Sequence, residues 1–184
     1  MLSIGTRSIE TERLILRKFK TEDCEKVFDN WAGDSEVQNL YCEPVYKNLG
    51  EVNELLNRYI NGYKDLNYYR WAVILKENNE CIGQISYFLV DTDNHFAEVE
   101  YCIGKKYQNK GYASEACMSV IKYGFDEIKL NKVQICHKPK NEASKKVILK
   151  CGLHYDGNLR QYFYNNGEYE DRLYYSLLKN EFYN

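Results

Sequence analysis

Apolar positions along the chain change period twice, and the changes mark out its elements. Leu14-Ile15-Leu16-Arg17 reads as a short strand. Thr21 stands where it caps a helix, with Glu22 and Asp23 at the positive end of its dipole, and Val27, Phe28, Trp31 and Ala32 share one face of it. Val52, Leu55, Leu56, Tyr59, Ile60 and Tyr63 recur at helical spacing and predict a second helix with an apolar stripe. From Trp71 the pattern turns β-rich. Runs from Trp71 to Lys76 and from Cys81 to Val90 flank the polar turn Glu77-Asn78-Asn79-Glu80. A third run, Phe96 to Ile103, alternates: Ala97, Val99, Tyr101 and Ile103 share one face, and Phe96, Glu98, Glu100 and Cys102 the other.

The helical period returns near Gly111, where Ala113, Ala116, Cys117, Val120, Ile121 and Gly124 mark a buried face small enough to lie close to a sheet. A strand from Val133 to His137, a short helix from Asn141 to Cys151 and strands over about Leu153–Leu159 and Asp171–Leu178 complete the order. The expected class is mixed α/β (α+β), with at least one parallel crossover.

Composition narrows the picture without redirecting it. With 184 residues, two prolines and no linker-like tract, one domain spanning 1–184 is the economical reading. Twenty-five basic and 27 acidic residues leave a formal charge of -2, which gives no electrostatic reason to expect nucleic acid or an anionic membrane as partner. No apolar run reaches the length of a signal peptide or a bilayer span. Seven cysteines, an odd count, argue for reduced thiols and a cytoplasmic protein. Cys136-His137 and Cys151-Gly152-Leu153-His154 lack the paired spacing of a zinc site, and no metal is expected.

The chemistry concentrates at Gln108-Asn109-Lys110-Gly111-Tyr112-Ala113-Ser114, which lies between a strand and a helix. Unbonded N–H groups at a helix start suit a pyrophosphate, and Gly111 allows close approach or a positive φ. Taken alone, the loop reads more readily as a plain turn than as a phosphate site. It is neither a P-loop nor a dinucleotide fingerprint. On the strand before it, Glu98 and Glu100 stand on one face, roughly 7 Å apart at their Cα atoms. They are either a general base and its neighbour or two solvated carboxylates. Asn141 is a good N-cap, and Ser144 three residues on serves the same helix start or donates a proton.

The loop resembles the Gln/Arg-x-x-Gly-x-Gly/Ala motif of the GNAT N-acetyltransferase family. Thr11-Glu12-Arg13-Leu14-Ile15-Leu16-Arg17, Gly111-Tyr112-Ala113-Ser114-Glu115-Ala116, Asn141-Glu142-Ala143-Ser144, Lys150-Cys151-Gly152-Leu153 and Gly167-Glu168-Tyr169-Glu170-Asp171 are similar, in order, to signatures of its RimJ/RimL-like branch. The resemblance covers about residues 9 to 178. It implies the GNAT fold, a mostly antiparallel twisted sheet flanked by about four helices with strands splayed at the CoA site. It also implies acetyl-CoA as cosubstrate and a primary-amine acceptor: a protein N-terminus, or a small molecule such as a polyamine or aminoglycoside. A module that binds acyl-CoA without turnover is the alternative, and a homodimer is compatible with either.

By the same resemblance, backbone amides of Gln108 to Ser114 hold the pyrophosphate, and the pantetheine arm passes Cys102 and Ile103. Asn141 and Ser144 then lie near the thiol, with Glu98 as base and Ser144 as acid. Two positions depart from the branch. Glu100 replaces its usual glycine, and an ungapped match puts Phe163 where RimL-like enzymes carry a proposed glutamate base.

Overall fold

A computed structural model describes residues 1–165 and 167–184. Eight strands form one sheet in the order β1-β2-β3-β4-β5-β6-β8-β7. They are β1 (Ile9–Glu10), β2 (Leu14–Arg17), β3 (Tyr69–Leu75), β4 (Glu80–Asp91), β5 (Phe96–Ile103), β6 (Lys132–His137), β7 (His154–Asn165) and β8 (Glu168–Leu178). Every neighbouring pair is antiparallel except β5 and β6. Six α-helices accompany them among the described residues: α1 (Cys24–Val27), α2 (Ser35–Tyr41), α3 (Leu49–Gly62), α4 (Tyr112–Tyr123), α5 (Glu142–Lys150) and α6 (Lys179–Phe182). Single turns of tighter or wider helix extend α1 and α4.

Both faces of the sheet are covered. On one, Ala116, Cys117, Val120 and Ile121 of α4 and Ile148 of α5 are buried with Trp71, Ile85, Val99 and Ile135 of the strands. On the other, Val27, Trp31, Val52 and Leu56 meet Ala72, Ile74 and Cys102. The alternation read along β5 therefore holds: Ala97, Val99 and Ile103 face α4 and α5, while Cys102 faces the α1–α3 layer. Alternation along β5 also puts Glu98 and Glu100 on the side of Cys102.

Local chemistry sets the boundaries. Asn48 caps α3, its Oδ1 accepting from the Glu51 N–H at 3.1 Å. Asp34 caps α2 by accepting from the Glu36 and Val37 N–H groups. Thr21 is not the cap predicted for the first helix. Asp23 Oδ2 accepts from the Lys20 N–H at 2.8 Å, and Arg17 grips both Asp23 oxygens, so an anchored carboxylate takes over that helix start.

Two irregularities shape the centre. A bulge between Tyr87 and Leu89 of β4 turns Phe88 outward, leaving it 66% exposed. The parallel ladder of β5 and β6 runs only from Phe96–Lys132 to Glu98–Gln134. Beyond it, Val99–Ile103 and Ile135–His137 part, and an opening forms in mid-sheet.

Candidate active site

A cavity of about 700 Å³ occupies that opening and continues onto both faces. Every residue singled out in the sequence as a site candidate borders it, except Lys110. Lys110 instead lays its ammonium 5.8 Å from the Tyr107 ring centroid.

At one end lies the loop before α4. Gly111 takes φ +82° and Asn109 φ +61°, and α4 begins with no side-chain cap. Its first N–H groups have no partner within the helix, so they are available to an anion. Gln108 ties the loop back to the strand, its Nε2 donating to the Ile103 carbonyl at 2.9 Å. The turn between β1 and β2 supplies a second anchor that the sequence alone does not show. Glu115 accepts from Thr11 Oγ1 at 2.6 Å, from the Arg13 backbone N–H at 2.9 Å and from Arg13 Nε at 2.7 Å. Arg13 Nη1 also donates to the Lys110 carbonyl, and its guanidinium lies 4.6 Å from the Tyr112 ring centroid. Burial works against the charged form of Glu115, yet these bonds hold its carboxyl below the usual carboxylate range. The Thr11–Arg13 and Gly111–Glu115 motifs, far apart in sequence, thus form one fixture.

Where β5 and β6 part, Asn141 caps α5, accepting from the Ser144 N–H at 3.0 Å. This leaves the Ser144 hydroxyl free to meet Tyr101, and the two oxygens lie 2.8 Å apart. Tyr101, which alternation places on the face of Ala97, Val99 and Ile103, also borders the cavity. Burial pushes that phenol well above its ordinary range, so it stays protonated.

The two carboxylates of β5 are held differently. Glu98 is 7% exposed, which excludes the solvated-face reading for it, and it accepts a bond at 2.8 Å from Gln134 Nε2. Glu100 Oε1 accepts from Arg70 Nη2 at 2.7 Å and from Ser86 Oγ at 2.8 Å. Arg70 Nη1 donates to Gln84 Oε1, and its guanidinium lies 4.4 Å from the Tyr59 ring centroid. Glu100 is committed to an ion pair, whereas Glu98 meets a neutral amide.

Across the cavity, Phe163 of β7 lies under the Arg172 guanidinium, 4.4 Å from its ring centroid. Arg172 also donates to Glu170 and to Cys42 Sγ, and Lys138 bonds Glu170 and the Asn39 carbonyl. This network joins α2 and its left-handed end at Cys42 to β8. Cys136 and His137 do not act together. Burial, with Glu98 adjacent, pushes the Cys136 thiol up to about 12. Burial lowers the His137 pKa, and its ring nitrogens lie against the Lys138 carbonyl and the Tyr175 hydroxyl. Among the described residues no group of three His, Cys, Asp or Glu side chains is arranged to hold a metal. No described helix is long and apolar enough to cross a membrane.

The profile of the acetyltransferase (GNAT) domain matches residues 13–154. YoaA of Bacillus subtilis (strain 168), an uncharacterized N-acetyltransferase, is 31% identical over 171 residues, covering 93% of this chain and 96% of its own. YdaF of the same strain, a candidate ribosomal N-acetyltransferase, is 40% identical over 119 residues, 65% of this chain and 64% of its own. The crystal structure of a GNAT-family acetyltransferase from Bacillus anthracis is similar with a TM-score of 0.84 at 31% identity, over 95% of this chain and 100% of its own.

Proposed function

The chain belongs to the GNAT family of acetyltransferases, and from that membership we propose that it carries acetyl groups from acetyl-CoA to the N-terminal amine of a protein. Its similarity to YdaF and to RimJ/RimL-like signatures supports this acceptor. One observation carries the reading of the site. The β5–β6 ladder stops at Glu98–Gln134, and the resulting opening lies between an uncapped helix start and the buried Glu98 carboxylate. We read residues 1–184 as one N-acetyltransferase domain working in the cytoplasm, and its seven free thiols suit a reducing compartment.

Acetyl-CoA supplies an activated thioester, and the residues position it. The amides from Gln108 to Ser114 face the pyrophosphate, with Gly111 giving the loop its turn and Arg13 bracing it. Cys102, Ile103 and Asn141 line the path of the pantetheine arm. Glu98 accepts a proton from the acceptor ammonium, freeing the lone pair that attacks. The Tyr101–Ser144 pair donates a proton to the departing thiolate. Glu100, held by Arg70 and Ser86, shapes the acceptor side and takes no proton. An ungapped match puts Phe163 where RimL-like enzymes carry a proposed glutamate base, which favours a base on β5, Glu98, over a water relay.

The test is thiol release from acetyl-CoA with a panel of N-terminal peptides, small amines and aminoglycosides, with products identified by mass. Acetylated peptide α-amines are expected. Acetylation confined to small amines or aminoglycosides would overturn the choice of acceptor, and no acetylated amine in any reaction would overturn acetyl transfer itself.

A further inference from the structure

Glu98 and Gln134 form the last rung of the parallel β5–β6 ladder, and beyond them the two strands part. Paired residues of neighbouring strands stand on one face of a sheet, so the two side chains lie side by side at the edge of the opening. Gln134 Nε2 donates to Glu98 Oε2 at 2.8 Å. Glu98 borders the cavity and Gln134 does not. The amide therefore stands behind the carboxylate, touching Glu98 without reaching an acceptor or acetyl-CoA. On the far side of Gln134, the register places Ser176 of β8 on the same face, 8% exposed.

The charges around Glu98 show what an amide contributes there. On β5, Glu100 is paired with Arg70 at 2.7 Å. On β6, burial with Glu98 adjacent pushes the Cys136 thiol up to about 12, and on β8 burial raises the Tyr174 phenol above its ordinary range. Leu89 of β4, the cross-strand partner of Glu98, is apolar. From α2 and the turn after it, the cavity is bordered by Tyr41, whose phenol burial also raises, and by the exposed carboxylate Glu43. Lys138 and Arg172, the cations of this half, are paired with Glu170. Near neutral pH the side chains flanking Glu98 on β4, β6 and β8 are thus uncharged, and Glu98 makes no ion pair among the described residues. A cation in place of Gln134 would hold the carboxylate ionised and weaken it as a base, and an apolar side chain would leave a buried charge without this donor. An amide carries both a donor and an acceptor, so it serves either protonation state of its neighbour.

We propose that Gln134 is the positioning residue of the base, aiming the Glu98 carboxylate into the opening and following its change of state during transfer. This rests on the reading of Glu98 as the base given above. Before transfer, the Gln134 N–H donates to ionised Glu98. When the acceptor ammonium loses its proton, that proton bonds to a Glu98 oxygen, leaving a neutral amine and a carboxylic acid. The amide then turns over, and its carbonyl oxygen accepts from the new O–H. Gln134 itself gains and loses no proton. The Ser176 hydroxyl, next along the same face, can donate or accept and so suits either orientation of the amide.

The experiment measures kcat against pH at saturating acetyl-CoA, with the amine of the thiol-release panel that wild type acetylates fastest. Wild type, Gln134→Met, Gln134→Lys, Glu98→Gln and the double variant of Gln134→Met with Glu98→Gln are all assayed. Thermal melts and calorimetric titration of acetyl-CoA check the fold and donor affinity. Gln134→Met is expected to lower kcat roughly tenfold and to leave the KM for acetyl-CoA within about twofold. It should also move the acid limb of the profile up by roughly one pH unit, and Gln134→Lys should move that limb down. A role in folding alone shifts neither limb. Because Gln134 acts through Glu98, Gln134→Met should cost little more in the Glu98→Gln background. An unchanged kcat and acid limb in Gln134→Met, limbs that move the same way in both variants, or a loss of equal size in both backgrounds overturns the proposal. In each case a slow Glu98→Gln leaves the assignment of the base standing. A Glu98→Gln rate matching wild type, or no acetylation by wild type, overturns the reading beneath this proposal and the proposal with it.

Discussion

Replacing Arg70 by methionine separates the two carboxylates of β5 by role. Arg70 and Glu100 form a pair at 2.7 Å with side chains 13% and 22% exposed. Losing one partner of a fully buried pair costs about 3–5 kcal/mol, because the other charge is left uncompensated. Here Glu100 keeps Ser86 and some contact with water, which argues for a smaller figure, about 2–3 kcal/mol. In a chain of this size that lowers Tm by about 4–12 °C. Glu100→Gln retains an acceptor for both Arg70 and Ser86 and should cost about 1 kcal/mol. The double variant should show a coupling of about 1–2 kcal/mol. Thermal unfolding of wild type, both single variants and the double measures all of this, and steady-state thiol release gives the catalytic side. Glu100→Gln is expected to keep kcat within about threefold, well short of the loss that removing a general base brings. A coupling near zero would refute the structural role of the pair. A kcat loss of about 100-fold in Glu100→Gln would put Glu100 in the chemistry and refute the division drawn between it and Glu98.

Further outcomes follow from the same geometry. Glu115→Gln removes a carboxylate whose folded pKa lies below its ordinary 4.5. Wild type should therefore melt higher than the variant at neutral pH, and the gap should close as the pH falls through that lowered value; a gap constant down to pH 3 would contradict this. Gly111→Ala forces a side chain into φ +82°, at a cost of roughly 1–2 kcal/mol. It should weaken acetyl-CoA binding by titration calorimetry about tenfold; unchanged affinity would detach the loop from CoA. Tyr101→Phe removes the hydroxyl 2.8 Å from Ser144 Oγ. It should lower kcat roughly tenfold, a modest effect because a thiolate leaves readily; an unchanged kcat would exclude it as the proton donor.

The sequence reading succeeded where local chemistry decides the structure. Gly111, between a strand and a helix, is legible as a site of close approach or positive φ, and it takes φ +82°. The ends of β5 follow from strict alternation, and that alternation by itself puts Glu98 and Glu100 on one face. It failed where partners are distant or the pattern is weak. α2 has only seven residues, too few for a clear apolar stripe, although Asp34 before Ser35 was a capping signal. β7 runs on to Asn165, past its predicted end at Leu159, and β8 starts at Glu168 rather than Asp171, because the outer part of the hairpin is largely exposed and its side chains, Tyr162 and Tyr164 among them, show no buried alternation. Arg13 and Glu115 each lay inside a quoted motif, but only the fold joins them. Alternation gives the face of Tyr101 but not its reach: its hydroxyl meets Ser144 Oγ at 2.8 Å.

The most direct measurement is single-turnover acetyl transfer by Glu98→Gln at saturating acetyl-CoA, alongside calorimetric titration of acetyl-CoA into the same variant. Glutamine keeps the shape of the side chain and an oxygen for Gln134, so the fold and acetyl-CoA affinity should match wild type. The transfer rate should fall about 100-fold or more. A rate within about twofold of wild type would mean that no proton passes to Glu98, and the base would have to be sought elsewhere in the cavity.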